Sequence, residues 1–174
     1  MTINFTSLIK YYGMIGKMNK TNNYHQKDLA QITTYQSGIA QASAHRIINR
    51  VVSDYLLRYD LSAMQWCIIG YIHDAGDTGV TLTELGRVLG TSFPYTTNVI
   101  TLLESKGVIS KKVHVKDSRI KLVTVNKEYE GVVDDIEAGL RDELRKSLYN
   151  TDNISREELQ TYIRVLYKII AAGN

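Results

Sequence analysis

Residues 81–107 read TLTELGRVLGTSFPYTTNVITLLESKG, and residues 108–125 continue as VISKKVHVKDSRIKLVTV. The first stretch contains two helix starts. In Thr81-Leu82-Thr83-Glu84 the Thr81 hydroxyl can accept from the N3 amide while Glu84 reaches back to the Thr81 N–H, the reciprocal pattern of a capping box. The helix it opens, Leu82–Leu89, is short because Gly90 supplies the left-handed backbone of a closing cap. Ser92 then caps a second helix, which tolerates Pro94 in its first turn and runs to Lys106 before Gly107 stops it. Two short helices joined through a glycine-containing turn make a helix-turn-helix. Beyond Gly107 the apolar period drops to two. Val108–Val115 and Ile120–Val125 are β-branched strands around the turn-like Lys116-Asp117-Ser118-Arg119, a hairpin with a basic tip.

The flanks are helical. Ile32, Ile39, Ile47, Val51 and Tyr55 mark a long amphipathic helix from about Asp28 to Arg58. Ser62 caps a second, Ala63–His73, whose Met64, Trp66, Ile68, Ile69 and Ile72 leave few polar faces, so burial on most sides is expected. Cys67 lies on it between Trp66 and Ile68 and reads as a core thiol. Asp74, Gly76, Asp77 and Gly79 form the loop that ends it. Downstream, Asn126 caps a helix striped by Val133, Ile136, Leu140, Leu144 and Leu148. Ser155-x-x-Glu158 is another capping box, with Ile154 and Leu159 as its hydrophobic staple and Tyr162, Ile163, Leu166 and Ile170 continuing the apolar face. Three helices, a turn, a helix, a hairpin and two helices is the order of a winged helix. The expected class is mainly α, with a two-stranded wing.

Composition sets the outer bounds. At 174 residues the chain suits one domain, and a single proline argues for long helices over a turn-dense sandwich. One cysteine cannot form an internal disulfide or a zinc cluster, and this points to a reducing compartment. No window approaches the roughly 20 apolar residues of a spanning helix, and Lys10 interrupts the only apolar run near the start. A cytoplasmic protein with no membrane partner is the expectation. The net charge of +3 is uninformative until it is resolved along the chain. Residues 1–80 carry seven bases and five acids, residues 81–125 seven and three, and residues 126–174 seven and ten. The basic excess falls on the helix-turn-helix and hairpin, a nucleic-acid footprint.

On the helix after Ser92, Val99, Leu102 and Leu103 fall on one side and should pack inward. Pro94, Thr97, Asn98, Thr101 and Ser105 fall opposite, a small, hydrogen-bonding face that a major groove admits. Asn98 can bond an adenine edge bidentately, and threonines can bond either edge type or offer a methyl to thymine. Ser92, Tyr95 and Thr96 sit at the N-terminus, where unpaired amides and the helix dipole favour phosphate. The hairpin adds Lys111, Lys112, Lys116, Arg119 and Lys121, able to follow a backbone or enter a narrow minor groove. Edge lysines also discourage sheet-to-sheet aggregation, so both roles stay open.

Leu61-Ser-Ala-Met-Gln-Trp66, Thr81-Leu-Thr-Glu-Leu-Gly86 and Leu103-Glu-Ser-Lys-Gly-Val-Ile109 together resemble the MarR family of winged-helix transcriptional regulators. So do Asp117-Ser-Arg119, matching the family's Asp-x-Arg, and Val123-Thr-Val-Asn126 after it. In layout the resemblance spans about residues 30–172. It implies a homodimer with N- and C-terminal helices interleaved, the helix after Ser92 in the major groove, and the wing in the minor groove. Asp117 would hold the wing's shape, and Arg119 would contact DNA or partner that aspartate. Lys111 or Lys112 stands where the family often has arginine, and an ammonium cannot reproduce the bidentate fork of a guanidinium. A small aromatic or lipophilic effector is a further partner the resemblance implies. The implied division is a flexible arm at 1–27 and one domain at 28–174. Within it, 28–60 and 127–174 form a helical dimerisation region and 61–126 the DNA-binding lobe.

The functional expectation is a sequence-specific DNA-binding regulator, a homodimeric repressor on a pseudo-palindromic operator. It needs no cofactor or metal: His25, His45, His73 and His114 are dispersed. Two alternatives are a winged helix that binds only protein and a metal-dependent phosphohydrolase built on His73-Asp74. The first should show an apolar patch on the recognition face. The second lacks further ligands in the sequence, and neither a phosphate-cradling loop nor a nucleophile elbow points to an enzyme.

Overall fold

The structure, a computed structural model, describes residues 31–114, 117–149 and 154–173, without the side chains of residues 114 and 117–119. The expected arm at 1–27, Lys116, and the side chains of Asp117 and Arg119 therefore lie outside the described residues. The chain divides into two units, residues 1–44 and 45–174.

In the first unit, Thr33 and Gln36 cap one another at the start of helix α1 (Thr34–Leu56). The Gln36 amide donates to Thr33 Oγ1 at 3.4 Å, and the Thr33 amide to Gln36 Oε1 at 3.2 Å. The helix expected to begin near Asp28 thus starts where a hydroxyl first satisfies its end amides.

The second unit holds the remaining elements in the anticipated order. Helix α1 ends in a 3₁₀ turn at Leu57–Tyr59, and Asp60 turns the chain with φ of 53°. Helix α2 (Ala63–Asp74) opens with a complete capping box: Ser62 Oγ accepts from the Gln65 amide and Gln65 Oε1 from the Ser62 amide. It buries Gln65, Ile68, Ile69 and Ile72. Cys67, expected in the core, is exposed instead, because the buried positions select one side of the helix and Cys67 falls off it. Partial burial still pushes its thiol pKa up, which works against a thiolate.

Strand β1 (Val80–Thr81) follows a 3₁₀ turn and leads directly into α3 (Leu82–Leu89), whose Gly90 cap has φ of 61°. Helix α4 (Phe93–Ser105) comes next, then β2 (Ile109–His114) and β3 (Asp117–Val125). The expected two-stranded wing is part of a three-stranded antiparallel sheet in the order β1-β3-β2. Val80 stands opposite Val123, which on its other side faces Lys111. The β2–β3 ladder is regular from Ile109↔Val125 to Val113↔Lys121, then jumps to His114↔Asp117. Residues 117–119, expected in the turn, are therefore strand, with the irregularity absorbed beside them.

Helices α5 (Lys127–Leu144) and α6 (Arg156–Gly173) complete the unit, with a wider π turn at Arg145–Tyr149. Asn126 precedes α5 but does not cap it through its side chain. Its Nδ2 donates instead to Gly107 O at 2.7 Å, and its amide to Val108 O at 3.0 Å, so it joins the end of the sheet to the end of α4. Ser155 and Glu158 form the expected reciprocal box at α6.

One core runs through the lobe. Ile68, Ile69 and Ile72 of α2, Leu85 of α3, Ile100 and Leu103 of α4, and Val123 of β3 have no exposed surface. Ile136, Val133 and Leu140 of α5 join the same cluster. Helix α6 differs, with no buried residue on it: Tyr162, Ile163, Leu166 and Ile170 all stand exposed. Among the described residues no helix is long and apolar enough to cross a membrane.

The second half of the expected box at Thr81 is replaced. Thr81 Oγ1 accepts from the Glu84 amide at 3.1 Å, but the Glu84 carboxylate accepts from the Tyr71 hydroxyl at 3.0 Å. Thr81 is already paired in the sheet, so Glu84 serves better as a tie between α2 and α3. This bond, then burial, raises the Tyr71 phenol above its ordinary value. A folded-state pKa above the unfolded one means that the bond contributes fully below pH of about 10 and is lost as pH climbs through the folded value. Tyrosinate absorbance titrations, differenced against Tyr71→Phe, should show this phenol ionising late, and Glu84→Gln should bring it back toward the ordinary range. A Tyr71 signal unmoved by Glu84→Gln would refute the tie.

Candidate nucleic-acid interface

The helix-turn-helix is held from both ends. At the turn, Ser92 Oγ accepts from the Tyr95 amide at 3.4 Å, with Pro94 in the first turn of α4 as expected. Thr91 Oγ1 and Thr96 Oγ1 share a hydrogen bond of 2.9 Å, and Thr96 Oγ1 also donates to Ser92 O at 3.1 Å. At the far end, Lys106 Nζ donates to Asp60 O at 2.6 Å and pairs with Asp60 Oδ2 at 2.7 Å. This cation fastens the C-terminus of α4 to the left-handed residue before α2.

The buried side of α4 is Thr96, Val99, Ile100 and Leu103. Two sequence expectations change as a result. Thr96, a candidate contact, is fully buried with its hydroxyl satisfied inside the turn, and is thereby removed from the candidate surface. Leu102, expected inside, is 45% exposed, because Ile100 takes the inward position. Pro94, Tyr95, Asn98, Thr101 and Ser105 are exposed and Thr97 is half-buried, so these candidates share the outer side with Leu102. Phe93, which the sequence reading passed over, stands 57% exposed at the first turn. With Thr81, Leu82, Thr83, Ile120 and Lys121 it lines a groove of about 530 Å³ between the two helix starts and the sheet. Its aromatic side chain just after the cap was the available signal.

In the sheet, Lys111 Nζ pairs with Glu104 Oε2 of α4 at 2.6 Å. This links the wing to the recognition helix. Lys112 and Lys121 are exposed, on facing strands. Arg87 is an exposed cation on α3. Lys116 and the side chains of Asp117 and Arg119 are outside the described residues, although the backbone of Asp117 and Arg119 is in β3. Among the described residues no group of three His, Cys, Asp or Glu side chains is placed to hold a metal, and His73 stands with Asp74 at the end of α2 without such company.

Residues 59–120 match the MarR family model. The matched stretch is the winged-helix lobe, which is similar to that family. The fold extends beyond that match to solved structures. Wild-type MarR from E. coli in its apo form superposes with a TM-score of 0.60 at 22% identity, over 79% of this chain and 97% of that one. The S. aureus MepR–DNA complex gives 0.64 at 19% identity, over 82% and 99%. CouR from Rhodococcus jostii bound to p-coumaroyl-CoA gives 0.68 at 16%, over 80% and 94%. At these identities the likeness to each is one of fold. The MarR-like layout thus covers the flanking helices as well as the lobe.

Proposed function

We propose that this protein is a sequence-specific DNA-binding transcriptional regulator, a homodimeric repressor that reads a pseudo-palindromic operator. The observation that carries this reading is the outer side of α4, which is exposed, unobstructed by acidic groups and held in place by the Thr91–Thr96 and Lys111–Glu104 contacts. A helix so presented fits the major groove, with Ser92, Pro94, Tyr95, Thr97, Asn98 and Thr101 at the bases or nearby phosphates. Lys111, Lys112, Lys116, Asp117 and Arg119 form the wing that meets the backbone or minor groove. The MepR–DNA structure and a mutant E. coli MarR with operator DNA show related folds used on duplexes, which supports the assignment. The exposed apolar side of α6 supports a second copy as its cover, with two lobes reading half-sites about one helical turn apart. In this reading residues 28–60 and 127–174 form the dimerisation region and 61–126 the lobe. CouR with its bound p-coumaroyl-CoA supports a small effector here, and the groove beside Phe93 is within the size of ligand pockets. A role in the cytoplasm, as regulator rather than enzyme, completes the reading.

The test is selection from random duplexes followed by binding at several salt concentrations. A palindromic motif and affinity falling steeply with salt are expected, since each neutralised phosphate releases counterions. No salt-sensitive duplex binding would sink the proposal. Asn98→Ala should cost about 1–3 kcal/mol on the selected site and relax preference at one position of each half-site, measured by competition against single-base variants. Equal loss on every sequence would show Asn98 to be a positioning contact only.

A further inference from the structure

The structure withdraws part of the recognition side's hydrogen-bonding capacity and adds apolar groups to it. Two of the hydroxyls that made it look polar are turned back onto the helix, and Thr101 alone stays exposed without such a bond. Thr97 Oγ1 donates to Phe93 O at 2.9 Å, and Ser105 Oγ to Leu102 O at 2.7 Å. Thr96 is buried. What α4 shows to a partner is Asn98, Thr101 and Ser105 together with the Thr97 methyl, the ring of Pro94, and the side chains of Phe93, Tyr95 and Leu102, the last three 57%, 44% and 45% exposed. Asn98 is the one side chain there able to make a bidentate base contact through donor and acceptor together.

The charged side chains that read G·C pairs are missing from this helix or already engaged. Guanine offers two acceptors in the major groove and is read by the fork of Arg or by Lys; cytosine offers an amino donor and is read by carboxylates. Residues 93–105 contain no Arg or Lys. Their only carboxylate, Glu104, is paired with Lys111 at 2.6 Å. The cation at the helix end, Lys106, is committed to Asp60 at 2.7 Å. Thymine alone among the bases presents a methyl group in the major groove, and adenine presents the donor–acceptor edge an asparagine amide matches.

We infer that α4 reads A·T pairs in the major groove, with Asn98 on adenine and the apolar side chains Tyr95, Leu102 and Thr97 against thymine methyl groups. The inference rests on the DNA-binding reading above and names the bases that reading leaves open. Positive charge for affinity comes from the wing, so affinity and base choice reside on separate elements.

The experiment uses the full chain and the duplex obtained by selection. In one series each half-site thymine is replaced by deoxyuridine, which removes only the methyl. In a second, each A·T pair becomes inosine·cytosine, which carries the major-groove pattern of G·C while keeping the minor-groove edge of A·T. Deoxyuridine should lower affinity about fourfold at contacted positions, the worth of one buried methyl. Inosine·cytosine should lower it about tenfold or more at the adenine that Asn98 meets. Tyr95→Ala or Leu102→Ala, both at exposed positions that leave the core intact, should abolish the deoxyuridine penalty at one position. A selected half-site with G·C pairs at its centre would overturn the inference and leave DNA binding standing. So would full affinity for inosine·cytosine duplexes, which would mean that minor-groove shape carries the preference. Absence of any salt-sensitive duplex binding would instead remove the underlying reading.

Discussion

Gly79→Ala should destabilise the protein by about 3 kcal/mol and lower Tm by roughly 10 °C. Two independent costs coincide at this residue. Gly79 has φ of 65° and ψ of 176°, a region open essentially to glycine alone. A Cβ there would also stand 2.9 Å from Val123 O, 3.0 Å from Thr124 Cγ2 and 3.3 Å from Leu122 Cβ. The carbonyl belongs to the central strand, which is paired on both sides and cannot retreat without disturbing Val80↔Val123 or Lys111↔Val123. Gly76→Ala separates the two costs: its φ is 56°, but nothing lies within 4 Å of its Cβ position. That variant should lose only about 1 kcal/mol. Thermal or urea unfolding of the pair measures the difference, and equal losses would show that close packing against β3 contributes nothing. The consequence for function is direct, since β1 runs into Thr81, the cap of the first helix of the helix-turn-helix.

That chain of dependence marks what was legible in the sequence and what was not. Ser62, Ser92, Thr81 and Ser155 announced their helices because capping is local: a hydroxyl meets an amide three residues on, with no other part of the fold involved. Strand β1 was missed for the opposite reason. Two residues carry no periodicity, and Val80-Thr81 is a strand only because β3 lies beside it. Glu84 and Asn126 were assigned local capping roles and instead make contacts with Tyr71 and Gly107, thirteen and nineteen residues away. The Lys111–Glu104 pair, which joins the wing to the recognition helix, likewise has no local signature.

The recognition helix shows the same limit at finer grain. The run from Val99 to Leu103 has apolar side chains at four of its five positions, so helical period alone cannot say which of them faces in. The choice was settled by Thr96, a polar residue that the sequence placed outside. Its hydroxyl finds Thr91 and the Ser92 carbonyl, and a satisfied hydroxyl can be buried without the penalty of an unpaired one. Gly86 makes room for this, since a side chain there would meet Thr91 O at 3.3 Å and Thr96 Oγ1 at 3.5 Å. With Thr96 inside, Ile100 and Leu103 follow on the same side and Leu102 turns outward. Every statement about which groups can meet a base depends on that rotation.

The rotation has a measurable consequence in stability. Ile100→Ala should cost about 3 kcal/mol and Leu102→Ala less than about 0.5 kcal/mol. Ile100 is fully buried, packed in the cluster that joins α2, α3 and the sheet, so removing three carbons loses their transfer energy and leaves a cavity. Leu102 is 45% exposed, and its truncation removes surface that water already reaches. Ile100→Val should fall between, at about 1 kcal/mol, as expected for one methylene at a closely packed site. Denaturant unfolding of the three variants at one protein concentration orders them, with the concentration fixed because dimerisation would add to apparent stability. If Leu102→Ala were the more damaging, the helix would be turned as its leucine pair first suggested, Thr96 would return to the outer side, and the A·T assignment would lose its basis. The binding measurements run the other way on the same helix. Leu102→Ala and Asn98→Ala should weaken recognition while leaving the unfolding midpoint almost unchanged, whereas Ile100→Val should shift the midpoint while leaving base preference intact.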